Sequence, residues 1–437
     1  MTETIRARAQ ALLPELTAIR RDFHRFAEPG WMEIRTTSLL ARRLTDLGYE
    51  VLTGPAVCKA DARMGLSSAD ALEAHYKWAQ ENGADPEFLP VTRGGFTGVI
   101  ATLHCGEGPT VALRFDIDAL GVLEASDETH LPHREGFASV TPGVMHACGH
   151  DGHAAVGIGT AMLLRELRGQ LHGTVRLIFQ PAEEGVRGAS SVVAAGHLDG
   201  ADYALAAHVF PAGKAAGLVD IGVLKENGQG GLATSKLDVT FRGRSAHAGI
   251  APQEGRNALL AAATAVLNLH AIPRFGSTPT QLNVGTLHAG TGRNVICETA
   301  KLELEVRGQT TEANEYMLRR AQQIVKSAAE MQDCTVETQA MGHAAALTCD
   351  WTLSERVERV CKETLGLRVM RVGSLGGGSE DFSCMAQRVQ QQSGQAAYVG
   401  LLCACPAANH NDHFDFDEQA LANGAAMFTA VTASLLA

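Results

Sequence analysis

The sequence predicts an α/β protein with a largely parallel central sheet, into which a smaller ferredoxin-like α+β domain is inserted. Three observations support this prediction. The chain has 437 residues, which favours two domains at roughly 150 residues per domain. Apolar, β-branched segments alternate with helical ones over its first half, as in sheets of parallel strands. A later segment has the order β-α-β-β-α-β instead, which is the split βαβ arrangement.

The first domain follows from its alternating hydrophobic patterns. In chain order they predict helices over 5–25 and 36–47, strands over 97–103 and 110–115, a helix over 154–167, a strand over 175–179, a helix over 189–195 and a strand over 203–209. Catalytic groups of parallel sheets lie just past the strand ends. We therefore expect Asp116, Gln180 and His208 to share one edge of the sheet. The polar, helix-prone segment 55–91 has no role that the sequence reveals.

The pattern changes after Lys225, where the glycine-rich segment 227–231 is predicted to be a linker. The split βαβ segment then comprises a strand over 236–241, a helix over 257–270, strands over 281–286 and 300–306, a helix over 312–331 and a strand over 334–338. The chain returns to the first domain with a helix over 355–365, a strand near 398–401 and a helix from Gln419. The predicted domains are a discontinuous one, residues 1–226 and 342–437, and an inserted one, residues 227–341.

Composition excludes several classes of function. Lys and Arg number 37 against 48 Asp and Glu, so the net charge of −11 disfavours binding to nucleic acid or to anionic membranes. The apolar runs are about half as long as a membrane span requires, and the first residues lack the pattern of a signal peptide. Ten cysteines scattered over the chain do not resemble a disulfide framework. We therefore expect a cytoplasmic protein with reduced thiols.

The densest polar cluster is the segment 146–153, which contains three His, one Cys and one Asp directly before a predicted helix. Cys148 and His150 are two residues apart, so both side chains can face one ion. Thiolate and imidazole are good ligands for Zn²⁺ and acceptable ones for Mn²⁺. The alternative is a polar helix N-terminus that happens to contain a cysteine.

A second cluster lies in the segment 180–185, after a predicted strand. Glu183 and Glu184 repel each other unless a cation or a shared proton compensates. One carboxylate can bind metal while the other acts as a general base, and the alternative is a solvated acidic loop. His208 alone would more often be a core histidine, but its place at the same sheet edge favours a ligand.

The third cluster is a late loop that contains His410 and His413. Either histidine could complete a metal site or lie at the surface, and the residue pattern does not choose between them. Taken together, the clusters supply one Cys, at least three His and two Glu, which is enough to hold two divalent ions.

These motifs resemble the metallo-aminoacylase and carboxypeptidase family, which includes aminoacylase, hippurate hydrolase and the auxin-conjugate amidohydrolases. The resemblance covers nearly the whole chain and is carried by the segments 114–120, 148–151, 180–185 and 246–249 and by His410. Within the family the similarity is greatest to hydrolases of p-aminobenzoyl-glutamate, on the segments 20–24, 30–31, 63–66, 292–295 and 414–418.

The resemblance implies roles for the clustered residues. Two divalent ions, Mn²⁺ or Zn²⁺, would be held by five ligands: Cys148, His150, Glu184, His208 and His410. Glu183 would be the general base that takes a proton from water and passes it to the departing amine. Asp118 would contact the ligands rather than the metal.

The inserted domain would serve as a lid and a dimerisation domain, so the resemblance implies a homodimer. His247, the candidate donor to the oxyanion, often comes from the partner protomer in the family. Asn294 and Arg307 match positions that bind the substrate's carboxylate. The alternatives are a turn residue for His247 and an ion pair with Glu305 for Arg307.

The expected activity is hydrolysis of the amide bond of N-acyl or N-aroyl amino acids. Arg293 stands where many relatives have an aromatic residue, and we expect it to favour an acidic amino acid unless it is merely solvated. p-Aminobenzoyl-glutamate is the first expected substrate, and indole-3-acetyl-aspartate is the main alternative. A dipeptide exopeptidase, a non-catalytic partner of a second homologous subunit and a Cys148 nucleophile are further alternatives.

Overall fold

A computed structural model describes residues 2–276, 278–375 and 378–437. The chain divides into two compact units, which we describe separately. The large unit consists of Met1–Gly231, Leu347–Gly377 and Asp381–Ala437, and the small unit consists of Leu232–Ala346 and Gly378–Glu380.

The large unit begins with α1 (Thr2–Arg25), α2 (Ile34–Asp46), β1 (Glu50–Thr53), α3 (Ala69–Glu81), β2 (Val99–His104), β3 (Thr110–Asp116), α4 (Leu131–Arg134), α5 (His150–Leu167), β4 (Thr174–Gln180), α6 (Ala189–Ala194), β5 (Tyr203–Pro211) and β6 (Ile221–Gly231). The small unit contains β7 (Ala233–Arg242), α7 (Ala258–His270), β8 (Thr280–Ala289), β9 (Thr299–Gly308), α8 (Thr311–Glu330) and β10 (Thr335–Ala344). The large unit continues with β11 (Leu347–Thr348), α9 (Trp351–Arg359), β12 (Val369–Ser374), α10 (Phe382–Gln391), β13 (Gln395–Cys403) and α11 (Gln419–Leu436).

The central sheet of the large unit has nine strands in the described part of the chain. Its order is β1-β2-β4-β3-β5-β13-β6-β11, with β12 also paired to β6. The four middle strands β4, β3, β5 and β13 are parallel, whereas β2 joins β4, and β6 joins β13, in antiparallel fashion. The predicted α/β class is confirmed, and the sheet as a whole is mixed because antiparallel strands flank its parallel centre.

Helix α5 lies against the parallel centre of the sheet, and glycine makes this close packing possible. A Cβ atom on Gly157 would lie 2.5 Å from the ring of Phe179. The ring centroid of Phe115 is 5.4 Å from that of Phe179 and 4.9 Å from that of Phe428 in α11. Each buried phenylalanine stabilises the fold by roughly 1.5–3 kcal/mol. The N-terminus of α5 is therefore fixed at the carboxyl edge of the sheet.

The small unit is a four-stranded antiparallel sheet in the order β10-β7-β9-β8, with α7 and α8 packed on it. Numbered within the unit, this order is four-one-three-two, as the predicted split βαβ arrangement requires. Both helices begin at side-chain caps. Asn257 Oδ1 accepts hydrogen bonds from the backbone N–H of Leu259 and Leu260, and Thr310 Oγ1 accepts one from Ala313.

The prediction of a linker over 227–231 is wrong, because these residues form the end of β6. Glycine serves close strand packing here: a Cβ on Gly230 would lie 2.7 Å from Leu347 Cγ on the paired strand β11. The segment 55–91 contains α3, which Ser68 caps by accepting a hydrogen bond from the Ala71 N–H. Strands β1 and β12 and helix α10 were also absent from the predicted elements.

None of the helices in the described residues has the length and apolar character that a membrane crossing needs. All ten cysteines are free thiols.

Candidate metal and catalytic site

His150 lies at the first position of α5, just after the turn that carries Cys148. Gly149 makes this turn with φ +87°, a left-handed conformation that glycine adopts without strain. The His150 Nδ1 atom is 3.3 Å from a carboxylate oxygen of Asp118, which only accepts hydrogen bonds, so Nδ1 carries the proton. The opposite atom, Nε2, is buried and has no hydrogen-bond partner. His150 therefore points an unpaired ring nitrogen into the site.

The two glutamates lie in a turn after β4, and Asp118 holds that turn. One oxygen of Asp118 accepts a hydrogen bond from the Glu183 N–H at 3.0 Å, and the other accepts one from the Glu184 N–H at 2.9 Å. The turn contains left-handed φ angles at two non-glycine residues, +51° at Ala182 and +59° at Val186. Such conformations cost about 1–3 kcal/mol each and persist only where surrounding contacts enforce them.

His208, in β5, faces Cys148 with the ring nitrogen that carries no proton. Its Nδ1 donates to the carbonyl of Val209 at 2.7 Å, so the lone pair is on Nε2, which lies 3.4 Å from Cys148 Sγ. Burial lowers the pKa of His208 well below its ordinary value, which keeps the ring neutral. The neighbouring His153 accepts the Val209 N–H at 2.9 Å and donates to Asp116.

The structure places His410, not His413, beside these residues. His410 has φ +69°, and its backbone N–H donates to the Ala147 carbonyl at 2.7 Å. Its Nε2 lies 3.4 Å from Cys148 Sγ and 3.7 Å from Glu184 Oε1. His413 instead pairs at the surface with the carboxylates of Asp127 and Asp412, each at 2.7 Å.

The five predicted ligands form two sets that share Cys148. One set adds His150 and His208, the other adds Glu184 and His410, and the ligand atoms within each set lie within 4.8 Å of one another. Two ligands of one tetrahedral Zn²⁺ lie about 3.5 Å apart, from Zn–S and Zn–N bonds of about 2.3 and 2.1 Å. The two distances of 3.4 Å from Cys148 Sγ match this spacing.

Electrostatics also fits the site to cations. Burial, reinforced by Glu184, raises the pKa of Cys148 to about 12, and burial raises the pKa of Glu184 to about 7. Burial opposes a charge on His150, but Asp116 and Asp118 outweigh it and raise its pKa well above its ordinary value. A divalent cation reverses this balance because it stabilises thiolate and carboxylate together. Glu184 Oε1, like His150 Nε2, is buried without a hydrogen-bond partner, and the two atoms are 4.0 Å apart.

Glu183, the predicted general base, lies at the edge of this cluster. Its Oε2 atom is 3.9 Å from His150 Nε2, and its side chain is 10% exposed. The carboxylate therefore has the access to solvent that a proton acceptor for water requires.

The remaining predicted site residues lie in the small unit. His247 forms a β-bridge with Val295, and the carbonyl of Asn294 accepts the N–H of Ala248 at 3.0 Å. His247, Arg293 and Asn294 are exposed on two adjacent segments of this unit. Arg307, in β9, pairs with Glu305 at 3.1 Å, as the structural alternative for this arginine proposed.

Two groups of residues around the site were missed in the sequence. Arg114 is buried at the end of β3, where it donates to Gln180 at 2.8 Å, to Asp116 at 2.5 Å and to Asp381 at 3.1 Å. Glu33 is buried behind the glutamate turn. The motif containing Arg114 was visible, but no pattern in the sequence distinguishes Asp381 or Glu33 from other acidic residues.

Comparison with known proteins supplies the family. Residues 112–434 match the model of peptidase family M20/M25/M40. An indole-3-acetyl-aspartic acid hydrolase of Enterobacter agglomerans is 45% identical over 94% of this chain and 93% of its own. One of the named subunits of the p-aminobenzoyl-glutamate hydrolase of Escherichia coli K12 is 44% identical over 96% of this chain and 95% of its own.

Solved structures agree. An aminobenzoyl-glutamate utilization protein of Klebsiella pneumoniae has a TM-score of 0.82 at 38% identity, covering 98% of this chain and 97% of its own. A Bacillus subtilis dinuclear metal-binding peptidase of the M20 family has a TM-score of 0.66 at 27% identity, covering 98% and 99%. The resemblance predicted from the sequence motifs is confirmed.

Proposed function

The chain belongs to peptidase family M20/M25/M40 and is a metal-dependent amidohydrolase, and on this premise we propose that it cleaves N-aroyl or N-acyl derivatives of acidic amino acids. p-Aminobenzoyl-glutamate is the proposed substrate. The observation that carries the proposal is the pair of ligand sets that share Cys148, with Glu183 3.9 Å from His150. A cluster of this composition suits the hydrolysis of an unactivated amide.

We propose that the enzyme works with two divalent ions, held by Cys148, His150 and His208 on one side and by Cys148, Glu184 and His410 on the other. When bound, such ions acidify water and polarise the scissile carbonyl. The thiolate at Cys148 favours Zn²⁺, while the carboxylate and imidazoles suit Mn²⁺ as well, so both metals are included in the test below.

In this mechanism Glu183 accepts a proton from the attacking water and delivers it to the departing amine nitrogen. Asp118 fixes Glu183 through the backbone, and it also fixes the proton of His150 on Nδ1. A nucleophilic Cys148 is disfavoured, because catalytic thiols require a lowered pKa and burial raises that of Cys148 to about 12.

We assign the small unit the roles of a lid and a dimerisation domain, corresponding to the predicted domain 227–341. His247 would donate to the oxyanion, and Asn294 and Arg307 would bind the substrate's carboxylate. Arg293, which is exposed and charged, would add a second cation for an acidic side chain. The proposed assembly is a homodimer in the cytoplasm, where its ten free thiols stay reduced.

Two alternatives rest on the names of relatives. One relative is an indole-3-acetyl-aspartic acid hydrolase, which favours indole-3-acetyl-aspartate as a second candidate substrate. Another is named as one subunit of its hydrolase, so the second alternative is that this chain requires a further, homologous subunit. An exopeptidase acting on dipeptides is the third alternative.

The test is release of free amino acid by the purified full chain from p-aminobenzoyl-Glu, indole-3-acetyl-Asp, hippurate, N-acetyl-Met and a dipeptide. Each substrate is assayed as purified, after chelation and after adding back Mn²⁺ or Zn²⁺, with Glu183→Gln as the inactive control. We expect cleavage of the Glu or Asp conjugates that chelation abolishes and metal restores. Cleavage that survives chelation but not thiol alkylation would refute the metal mechanism. Absence of turnover with either metal would refute the activity of this chain alone and favour a missing subunit.

A further inference from the structure

We propose that Glu33 is a positioning residue for Glu183. Its carboxylate holds the glutamate turn, residues 181–186, in the conformation that presents the Glu183 side chain to the site. This inference rests on the proposed function, in which Glu183 is the general base.

Three successive backbone N–H groups of the turn each donate to a buried carboxylate oxygen. The Ala182 N–H donates to Glu33 Oε1 at 2.7 Å. The next two, of Glu183 and Glu184, donate to the two oxygens of Asp118 at 3.0 and 2.9 Å. Asp118 therefore holds the two glutamates themselves, and Glu33 holds the residue immediately before them.

The residue that Glu33 holds is also one of the strained ones. Ala182 has φ +51°, a left-handed conformation that an alanine adopts only when its surroundings enforce it. Without the hydrogen bond from Glu33, the peptide before Glu183 is free to relax to an ordinary conformation. That relaxation would rotate the chain direction at Glu183 and displace its carboxylate.

The rest of the structure supplies no other role for the Glu33 side chain. It is fully buried, and its second oxygen accepts the hydroxyl hydrogen of Thr97 at 2.7 Å. Glu33 stands at the N-cap of α2, yet its side chain makes no capping hydrogen bond. Glu28 fills that need instead, accepting the N–H of Arg35 at 2.9 Å and that of Thr36 at 2.7 Å.

The opposite side of the turn is held separately. Arg187 Nε donates to the Glu184 carbonyl at 2.8 Å, and its Nη1 donates to the Gly65 carbonyl at 2.9 Å, within the segment 55–91. The turn is thus fixed at its start by Glu33, in its middle by Asp118 and after it by Arg187. Only the first contact lies directly before the general base without touching a metal ligand.

The experiment compares Glu33→Ala with Glu28→Ala in the full-length enzyme. Both glutamates are fully buried and accept backbone N–H groups, but only Glu33 contacts the turn. Amide hydrogen exchange of the peptide 181–188 reads the turn directly, and bound metal, kcat and KM are measured on the same samples. We expect Glu33→Ala to speed exchange at this peptide and to lower kcat per metal-loaded chain by about 10- to 100-fold, with KM changed less than about twofold.

Glu33→Gln is the rescue variant, because its amide oxygen can accept from Ala182 while its NH₂ group donates to Thr97. We expect it to retain most of the kcat and the slow exchange. If Glu33→Ala does not fold, Thr97→Val removes one of the two contacts and should shift both readouts in the same direction by less.

Exchange and kcat in Glu33→Ala equal to those in Glu28→Ala would overturn the proposal. Faster exchange with unchanged kcat would overturn it as well, since the contact would then be structural only. A wild-type enzyme that turns over no substrate would refute the proposed function, whereas the exchange comparison would still decide whether Glu33 holds the turn.

Discussion

Arg20 is the residue whose replacement should destabilise the large unit most clearly. It lies on α1, fully buried, and donates to Asp151 at 2.7 Å, to Asp415 at 2.7 Å and to Glu418 at 3.3 Å. Asp151 follows His150 directly, so this ion cluster connects α1 to the start of α5. Arg20→Met preserves most of the apolar stem but leaves buried carboxylates without a cation.

The expected loss follows from that burial. The side chains of Arg20 and Asp151 are both 0% exposed, and removing one member of a buried ion pair costs about 3–5 kcal/mol. This corresponds to a rise in the unfolded fraction of roughly two to three and a half powers of ten. Arg8 offers a matched control on the same helix, because its pair with Glu166 in α5 is 46% and 45% exposed. Solvent screens such a pair, so Arg8→Met should leave stability nearly unchanged.

Denaturant unfolding followed by tryptophan fluorescence is the appropriate assay. Trp31, Trp78 and Trp351 are the three tryptophans of the chain, and all lie in the large unit, so the signal reports that unit alone. The free energy of unfolding is compared among wild type, Arg20→Met and Arg8→Met at neutral pH. A loss in Arg20→Met no larger than that in Arg8→Met would refute the reasoning from burial.

Four further outcomes are expected. Glu183→Gln should lower kcat by about 10²- to 10⁴-fold while bound metal, measured by atomic spectroscopy, is unchanged; a matching loss of metal would contradict a role as base. Cys148→Ala removes the ligand common to both sets, so both ions should be lost on dialysis, and retention of two ions would disprove sharing. Burial opposes protonation of His24, but hydrogen bonds to Asp151 and Glu124 raise its pKa to about 9. Its stabilising contribution is therefore complete below the unfolded pKa of about 6.5 and lost as pH rises through 9, and His24→Gln should flatten the stability profile over that interval. Arg293→Ala should reduce the preference for Glu over Ala conjugates, measured as a ratio of kcat/KM, and an unchanged ratio would exclude Arg293 from specificity.

The order of strands and helices was predictable because hydrophobic periodicity follows burial. Strands β3, β4 and β5 are buried on both faces and read as continuous apolar runs. The end of β6 was not predictable, since its glycines look like a linker until the packing of Leu347 against Gly230 is known. Local pattern reports a residue's own conformational freedom but not which strand lies beside it.

The candidate site was predictable only in part, for a similar reason. The clusters around Cys148 and Glu183 are contiguous in sequence, so their chemistry is visible before folding. The choice of His410 over His413 depended on the family resemblance, and the structure distinguishes them by the left-handed backbone of His410 and the surface ion pairs of His413. Glu33 lies 149 positions from the amide it accepts, and no short-range pattern encodes that contact.

The position of β13 between β5 and β6 has a consequence for biosynthesis. A ribosome emits β5 and β6 about 170 residues before β13, yet these two strands join the same sheet only through it. The small unit is nearly contiguous and can fold while translation continues, whereas the sheet of the large unit cannot close until its penultimate element emerges. Until then the open edge of β5 is a template for wrong pairing, so nascent chains of this protein should depend on chaperones more than its finished stability would suggest.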